Sequence, residues 1–150
     1  ADDCFPYGTQ EVIESGKTEG LGLYSPPSDM GARVPTMDGN VVYWPSSRGV
    51  RAYDRQKLSA MHLAPKADRK KAEEEAIIWE VDAPANTQSL VLAGETILAI
   101  GASEVSAMDK KDGTHLGTVK IREKTTINGL AAAGGNAYVV TADGAVQCIR

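Results

Sequence analysis

The chain is short of aromatic residues: they make up 5% of its 150 positions, and there is a single phenylalanine. Cysteine is scarcer still. Cys4 and Cys148 stand at opposite ends, so no CxxC, zinc-knuckle or haem-attachment spacing exists. The two either bridge the ends, which requires an oxidising compartment, or stay free with Cys148 as a small buried apolar residue; the second reading is the one adopted. Basic charge is not in excess. Sixteen Lys and Arg against twenty Asp and Glu leave a net charge of -4, which argues against a general nucleic-acid binder. No apolar run approaches the ~20 residues that span a bilayer. The opening ADDCFPYG has neither a basic stretch nor an apolar one and no initiator Met, as expected of a processed or excised chain.

What is present points the other way, to a packed and turn-rich protein. Hydrophobic residues make up 42% and charged residues 24%, a balance that excludes a disordered chain. Fifteen glycines and seven prolines punctuate the sequence too often for long helices and lean toward an all-β fold.

The most informative feature is an internal repeat. Residues 39–54 read GNVVYWPSSRGVRAYD, residues 94–109 read GETILAIGASEVSAMD, and residues 135–150 read GNAYVVTADGAVQCIR. Aligned without a gap, each opens on a glycine (Gly39, Gly94, Gly135), continues as a strand-forming run, turns on small or polar residues, and resumes with Val50, Val105 or Val146. Each copy therefore reads as a β-hairpin. Alternation puts Val50 and Ala52 on one face and Arg51 and Tyr53 on the other. Further strands are expected at Ile77–Val81, Gln88–Ala93, Leu116–Ile121 and Thr126–Ala131. The order is then strand, Gly turn, hairpin, Asp, loop, outer strand. A period of about 40 residues with four strands is that of a propeller blade.

The first spacing is longer because it holds extra material, a charged insertion at about 57–76. Within it, KADRKKAEEEA runs from basic to acidic, against the helix dipole. It is expected to be a solvated loop or marginal helix, and the only helical stretch. Residues 1–38, rich in Gly and Pro, are expected to be irregular, with short strands at most near Glu11–Glu14 and Leu21–Tyr24.

Ala107-Met108-Asp109-Lys110-Lys111-Asp112-Gly113 resembles the Ala-x-Asp-x-x-Thr-Gly core of the quinoprotein-type repeat. Ala52-Tyr53-Asp54 repeats its start, and Trp79 resembles the tryptophan that closes the pattern, displaced by the insertion. Gly117 stands at that place in the second copy, and Arg150 stands where the third would have its Asp. The resemblance covers residues 39–150. It implies an all-β chain of antiparallel four-stranded blades, two to three of them, from a PQQ-like β-propeller. It implies structural roles for Trp79, Asp54, Asp109, Gly113, Gly39, Gly94 and Gly135, with Trp79 packed between blades.

Chemistry is hard to place. His62 and His115 have no partner at metal-ligand spacing. Gly16-x-x-x-Gly20-x-Gly22 is a loop without the strand and helix a phosphate cradle needs. The two lysines inside Asp109-Lys110-Lys111-Asp112-Gly113 oppose a cation, so that segment reads as a turn. The quinone pocket, calcium ligands, Asp base and vicinal cysteines of the family's enzymes cannot be assigned to these residues. The expectation is a non-enzymatic propeller scaffold with no cofactor, periplasmic or secreted. The alternative is a piece of a quinoprotein-like oxidoreductase whose cofactor site lies outside this chain. Closed propellers have about 4–8 blades, so the remaining blades are expected upstream. Pro45 is the only proline in the hairpins and lysine is absent from them, leaving blade edges undefended. Partners are therefore expected to be the rest of the propeller, another subunit, or a second copy.

Overall fold

The computed structural model describes residues 35–46, 49–83, 87 and 89–150. These form three antiparallel sheets. The first, blade A, runs in the order β1 (Thr36–Asp38), β2 (Val41–Pro45), β3 (Gly49–Asp54) and β4 (Ile77–Asp82). Blade B follows as β5 (Ser89–Ala93), β6 (Thr96–Ile100), β7 (Glu104–Asp109) and β8 (His115–Lys120). Blade C has three strands, β9 (Thr125–Ala133), β10 (Asn136–Thr141) and β11 (Val146–Ile149). The strand β5 touches both β1 and β9, so the first strands of the blades gather along one line. The expected all-β, blade-like architecture is the observed one.

Each blade's first hairpin turns on two residues, between Asp38 and Val41, Ala93 and Thr96, and Ala133 and Asn136. The first turn residue has φ of 56° at Gly39, 63° at Gly94 and 56° at Gly134. A tight hairpin needs this left-handed backbone, and glycine adopts it without a Cβ penalty. The counterpart of Gly39 and Gly94 is thus Gly134, and the gapless alignment on Gly135 is one residue out through β10. The slip ends in the next loop. Blades A and B pair Pro45 with Val50 and Ile100 with Val105, whereas blade C pairs Val140 with Val146, one residue further apart. The added residue lies in a loop stitched by Asp143 and Thr141. The Thr141 hydroxyl donates to Asp143 Oδ1 (2.5 Å), and the Ala145 N–H donates to the same oxygen (3.2 Å).

Two expectations about non-repeat segments need correction. Thr36–Asp38, assigned to the irregular segment, is strand β1, because the Gly39-Asn40 turn folds it back onto β2. The remaining readings on residues 1–34 lie outside the described residues. The insertion, read as a solvated loop or a marginal helix, is two helices: α1 (Arg55–Leu63), which precedes the stretch where helix was expected, and α2 (Arg69–Ala76), which lies within it. Asp54 ends β3 and caps α1, its carboxylate accepting the Lys57 N–H at 3.0 Å. Leu58 and Met61, three positions apart on one face of α1, bury against Val42, Trp44 and Tyr53, joined by Ala76 of α2. The polar side of α2 faces out, while its Glu73 lies 3.8 Å from Arg51, which also pairs with Glu80 across the strand at 2.8 Å.

Strand alternation gives blade A two packed faces. Val42, Trp44 and Tyr53 lie under the helices; Tyr43, Val50 and Ala52 pack against Leu90, Ile97, Ala99 and Met108 of blade B. A third cluster joins Ile100, Val105 and Ile121 to Leu130, Ala137 and Val139, locking blade C to blade B. The Thr125 hydroxyl donates to the Gly101 carbonyl (2.6 Å) across the same junction.

Candidate functional site

Three of the residues singled out in the sequence, Trp79, Asp109 and Gly113, come together at the seam between blades A and B. Trp79 projects from β4, opposite Ala52, where a small residue leaves room for a large one beside it. Its ring lies beside Tyr43, with centroids 5.8 Å apart and planes tilted by 37°. The indole N–H crosses the seam and donates to the Lys110 carbonyl at 3.3 Å. Half-buried, Trp79 packs with the cluster formed by both blades.

Gly113 meets the indole from the other side. A Cβ there would fall 2.6 Å from Val81 Cγ1 and 2.9 Å from Trp79 Cε3, and its φ is +76°. Both the contact and the backbone require glycine. The 109–114 turn that presents it is fixed locally. The Lys111 N–H donates to Asp109 Oδ1 (2.7 Å), the Thr114 N–H to Asp112 Oδ1 (2.8 Å), and the Gly113 N–H to the Asp109 carbonyl (2.9 Å). Donation from the Thr114 N–H holds the Asp112 carboxyl below its ordinary range. The turn is structural, and no group of three or more His, Cys, Asp or Glu able to hold a metal occurs among the described residues.

Lys110 adds a charge link that sequence reasoning missed. Its Nζ lies 2.8 Å from Asp38 Oδ2 of blade A and 2.9 Å from Glu95 Oε1 of blade B. Hydrogen bonds to Asp38 and then Glu95 push its ammonium pKa up. Tyr43, beneath this network, has its phenol pushed up by burial and then by Asp38. The signal was present: Asp38 and Glu95 each sit in or beside a first-hairpin turn, and Lys110 follows the repeat's aspartate.

The other singled-out residues lie elsewhere. Asp54 occupies the repeat position of Asp109 but caps α1, and it also accepts from Asn40 Nδ2 at 3.2 Å. The Lys57 N–H, first among its partners, holds its carboxyl below the ordinary range. Gly39 and Gly94 sit in their hairpin turns, and Gly135, with φ 76°, is the second turn residue of blade C. His62 lies in α1. His115 is exposed on β8, its Nε2 2.8 Å from Thr118 Oγ1. Cys148, expected to be buried, is an exposed free thiol; it sits on the face of blade C that no described residue covers. Cys4 lies outside the described residues.

That face is the second notable surface. Tyr138 pairs with Cys148 and Val140 with Val146. Val140 is 38% and Val146 65% exposed. By strand register these four positions match Leu98, Ala107, Ile100 and Val105 of blade B. Ile100 and Val105 are the residues that blade B buries against blade C.

Blades repeated about a line of inner strands are the arrangement found in β-propellers, and solved structures agree. BamB from Moraxella catarrhalis superposes with a TM-score of 0.55 at 18% identity, over 77% of this chain and 31% of that one. The computationally designed propeller proteins Ika4 and Ika8 superpose with TM-scores of 0.55 and 0.56, each at 11% identity. They cover 76% and 77% of this chain and 62% and 31% of theirs. The chain has a β-propeller fold. It spans about a third of the length of BamB and Ika8 and less than two thirds of Ika4. No family model matches the sequence, and no curated protein matches it. No helix among the described residues is long and apolar enough to cross a membrane.

Proposed function

We propose that this chain is a non-enzymatic scaffold segment of a PQQ-like propeller, acting through protein–protein contact in a periplasmic or secreted setting. The observation that carries the reading is the open face of blade C. Val140 and Val146 are exposed there, beside Tyr138 and Cys148, in the positions that blade B uses to bind the next blade. A contiguous apolar sheet face of this kind is uncommon on a self-sufficient surface and marks a contact site. The partner is a further blade, supplied by the rest of a propeller, by another subunit, or by a second copy that also pairs along the edge of β11.

The repeat type is supported by the 107–113 pattern and by the seating of Trp79 against Gly113 and Lys110. In this reading Trp79, Gly113 and Asp109 build the seam. Asp54, Gly39, Gly94 and Gly135 shape turns, and the repeats begin at Thr36.

The test is sedimentation of the full chain over a micromolar dilution series. Concentration-dependent association that is lost in Val146→Asp and Val140→Asp, but kept in Ile78→Asp, supports the reading. A monomer at every concentration that also binds no hydrophobic dye sinks it.

A further inference from the structure

Strand register makes Gly117 the counterpart of Trp79. In blade A, Ala52 faces Trp79, and after a bulge Tyr53 faces Ile77. In blade B, Ala107 faces Gly117, and after a bulge at the same place Met108 faces His115. Outer strands of the same construction therefore lead to two different seams.

At the A–B seam the indole fills the space, so that even a Cβ on Gly113 would collide with it. At the B–C seam a Cβ on Gly117 would meet no described residue within 4 Å. A cleft of about 780 Å³ opens there between the blades, walled by Leu98, Val105, Ala107, Gly117, Ala137 and Ile149. That volume lies within the roughly 300–1,000 Å³ of small-molecule sites. The cleft opens to solvent, Leu116 at its wall being 56% exposed, and apolar walls that face water gain from burial under an apolar guest.

We propose that the cleft between blades B and C is a binding site for an indole-sized planar aromatic group. Two observations set the chemistry of the guest. The corresponding place one blade earlier holds an indole on the same strand framework, beside the counterpart alanine. Arg150 also lines the cleft, and a guanidinium attracts the face of an aromatic ring. The cleft is continuous with the packed junction of Ile100, Val105, Leu130 and Val139, so its floor is preorganised. The site does not depend on what covers the open face of blade C.

Free indole and N-acetyl-tryptophanamide, titrated into the full chain, test the site and separate a small-molecule guest from a peptide-borne one. Saturable binding with a raised melting temperature is expected for at least one probe, since a native-state ligand must stabilise. In Gly117→Trp the chain's own indole occupies the cleft. Its melting temperature should rise without ligand, and its affinity for either probe should fall by about tenfold or more. Gly117→Leu blocks the cleft with a smaller side chain and should also weaken binding. Amide shifts confined to Gly117, Ala107 and Ala137 in the wild-type chain would locate the guest without any variant. No saturable binding of either probe, binding unchanged in the variants, or shifts centred elsewhere would overturn the proposal.

Discussion

The indole N–H of Trp79 donates to the carbonyl of Lys110 across the seam between two blades, so the side chain that packs the seam also fixes its register. A polar tip on an apolar body suits a half-buried position, where an unpaired N–H would be costly. Trp79→Ala should cost about 3 kcal/mol, the low end for a truncated aromatic. Trp79→Phe, which keeps most packing and loses the donor, should cost about 1 kcal/mol. Urea unfolding of both variants separates the two contributions. A cost-free Trp79→Phe would show that the hydrogen bond carries nothing, and equal costs would show that the ring's packing carries nothing beyond it.

Gly113 and Gly117 should respond in opposite ways to the same substitution. Gly113→Ala forces a Cβ at φ +76° into Val81 and Trp79, and about 2 kcal/mol or more should be lost through backbone strain and overpacking. Gly117→Ala meets open space and removes flexibility from the unfolded chain, so it should be neutral or stabilising by up to about 1 kcal/mol. Thermal midpoints measured side by side decide this.

Asp54→Ala removes the cap of α1 and should cost about 1 kcal/mol, with a fall in the helical part of the far-UV dichroism. The pH dependence follows from the same contact. Donation from the Lys57 N–H lowers the Asp54 pKa from its ordinary 3.8. The cap's contribution is complete above that value and is lost as pH falls through the lower folded-state pKa. Below about pH 4 the wild-type chain should therefore lose part of its stability advantage over Asp54→Ala. A difference that stays constant down to pH 2 would contradict the assignment.

Cys148 should react with a maleimide in the folded state, because its thiol is exposed and thiol reactivity requires access. A bulky label there sits among Tyr138, Val140 and Val146 and should abolish any association through the open face of blade C. Sedimentation before and after labelling reads the outcome.

The hairpins were legible because glycine turns and runs of Val and Ile are local signals, and Trp79 was legible because a lone tryptophan in an apolar alternating strand has few other uses. The helix α1 was not. Among its described side chains Leu58 and Met61 mark the buried face, and its cap, Asp54, doubled as the repeat's aspartate. The third copy misled for a related reason. Two successive glycines, Gly134 and Gly135, allow two alignments, and only the longer loop at Thr141–Ala145 shows which is right. The Lys110 link joins residues far apart in sequence, Asp38 and Glu95, and single-sequence periodicity does not report such pairings.

The helices α1 and α2 give the arc a polarity. Leu58, Met61 and Ala76 already occupy the face formed by Val42, Trp44 and Tyr53, while no described residue covers the opposite end, at Val140 and Val146. Repeats bare at both ends can add head to tail without limit and grow into fibres. Here α1 and α2 cover the blade A face that such addition would use. In the proposed self-association, two copies would then meet uncovered end to uncovered end, a contact that consumes both surfaces and halts at a pair. On that reading, the insertion that interrupts the repeat also limits how far it can assemble.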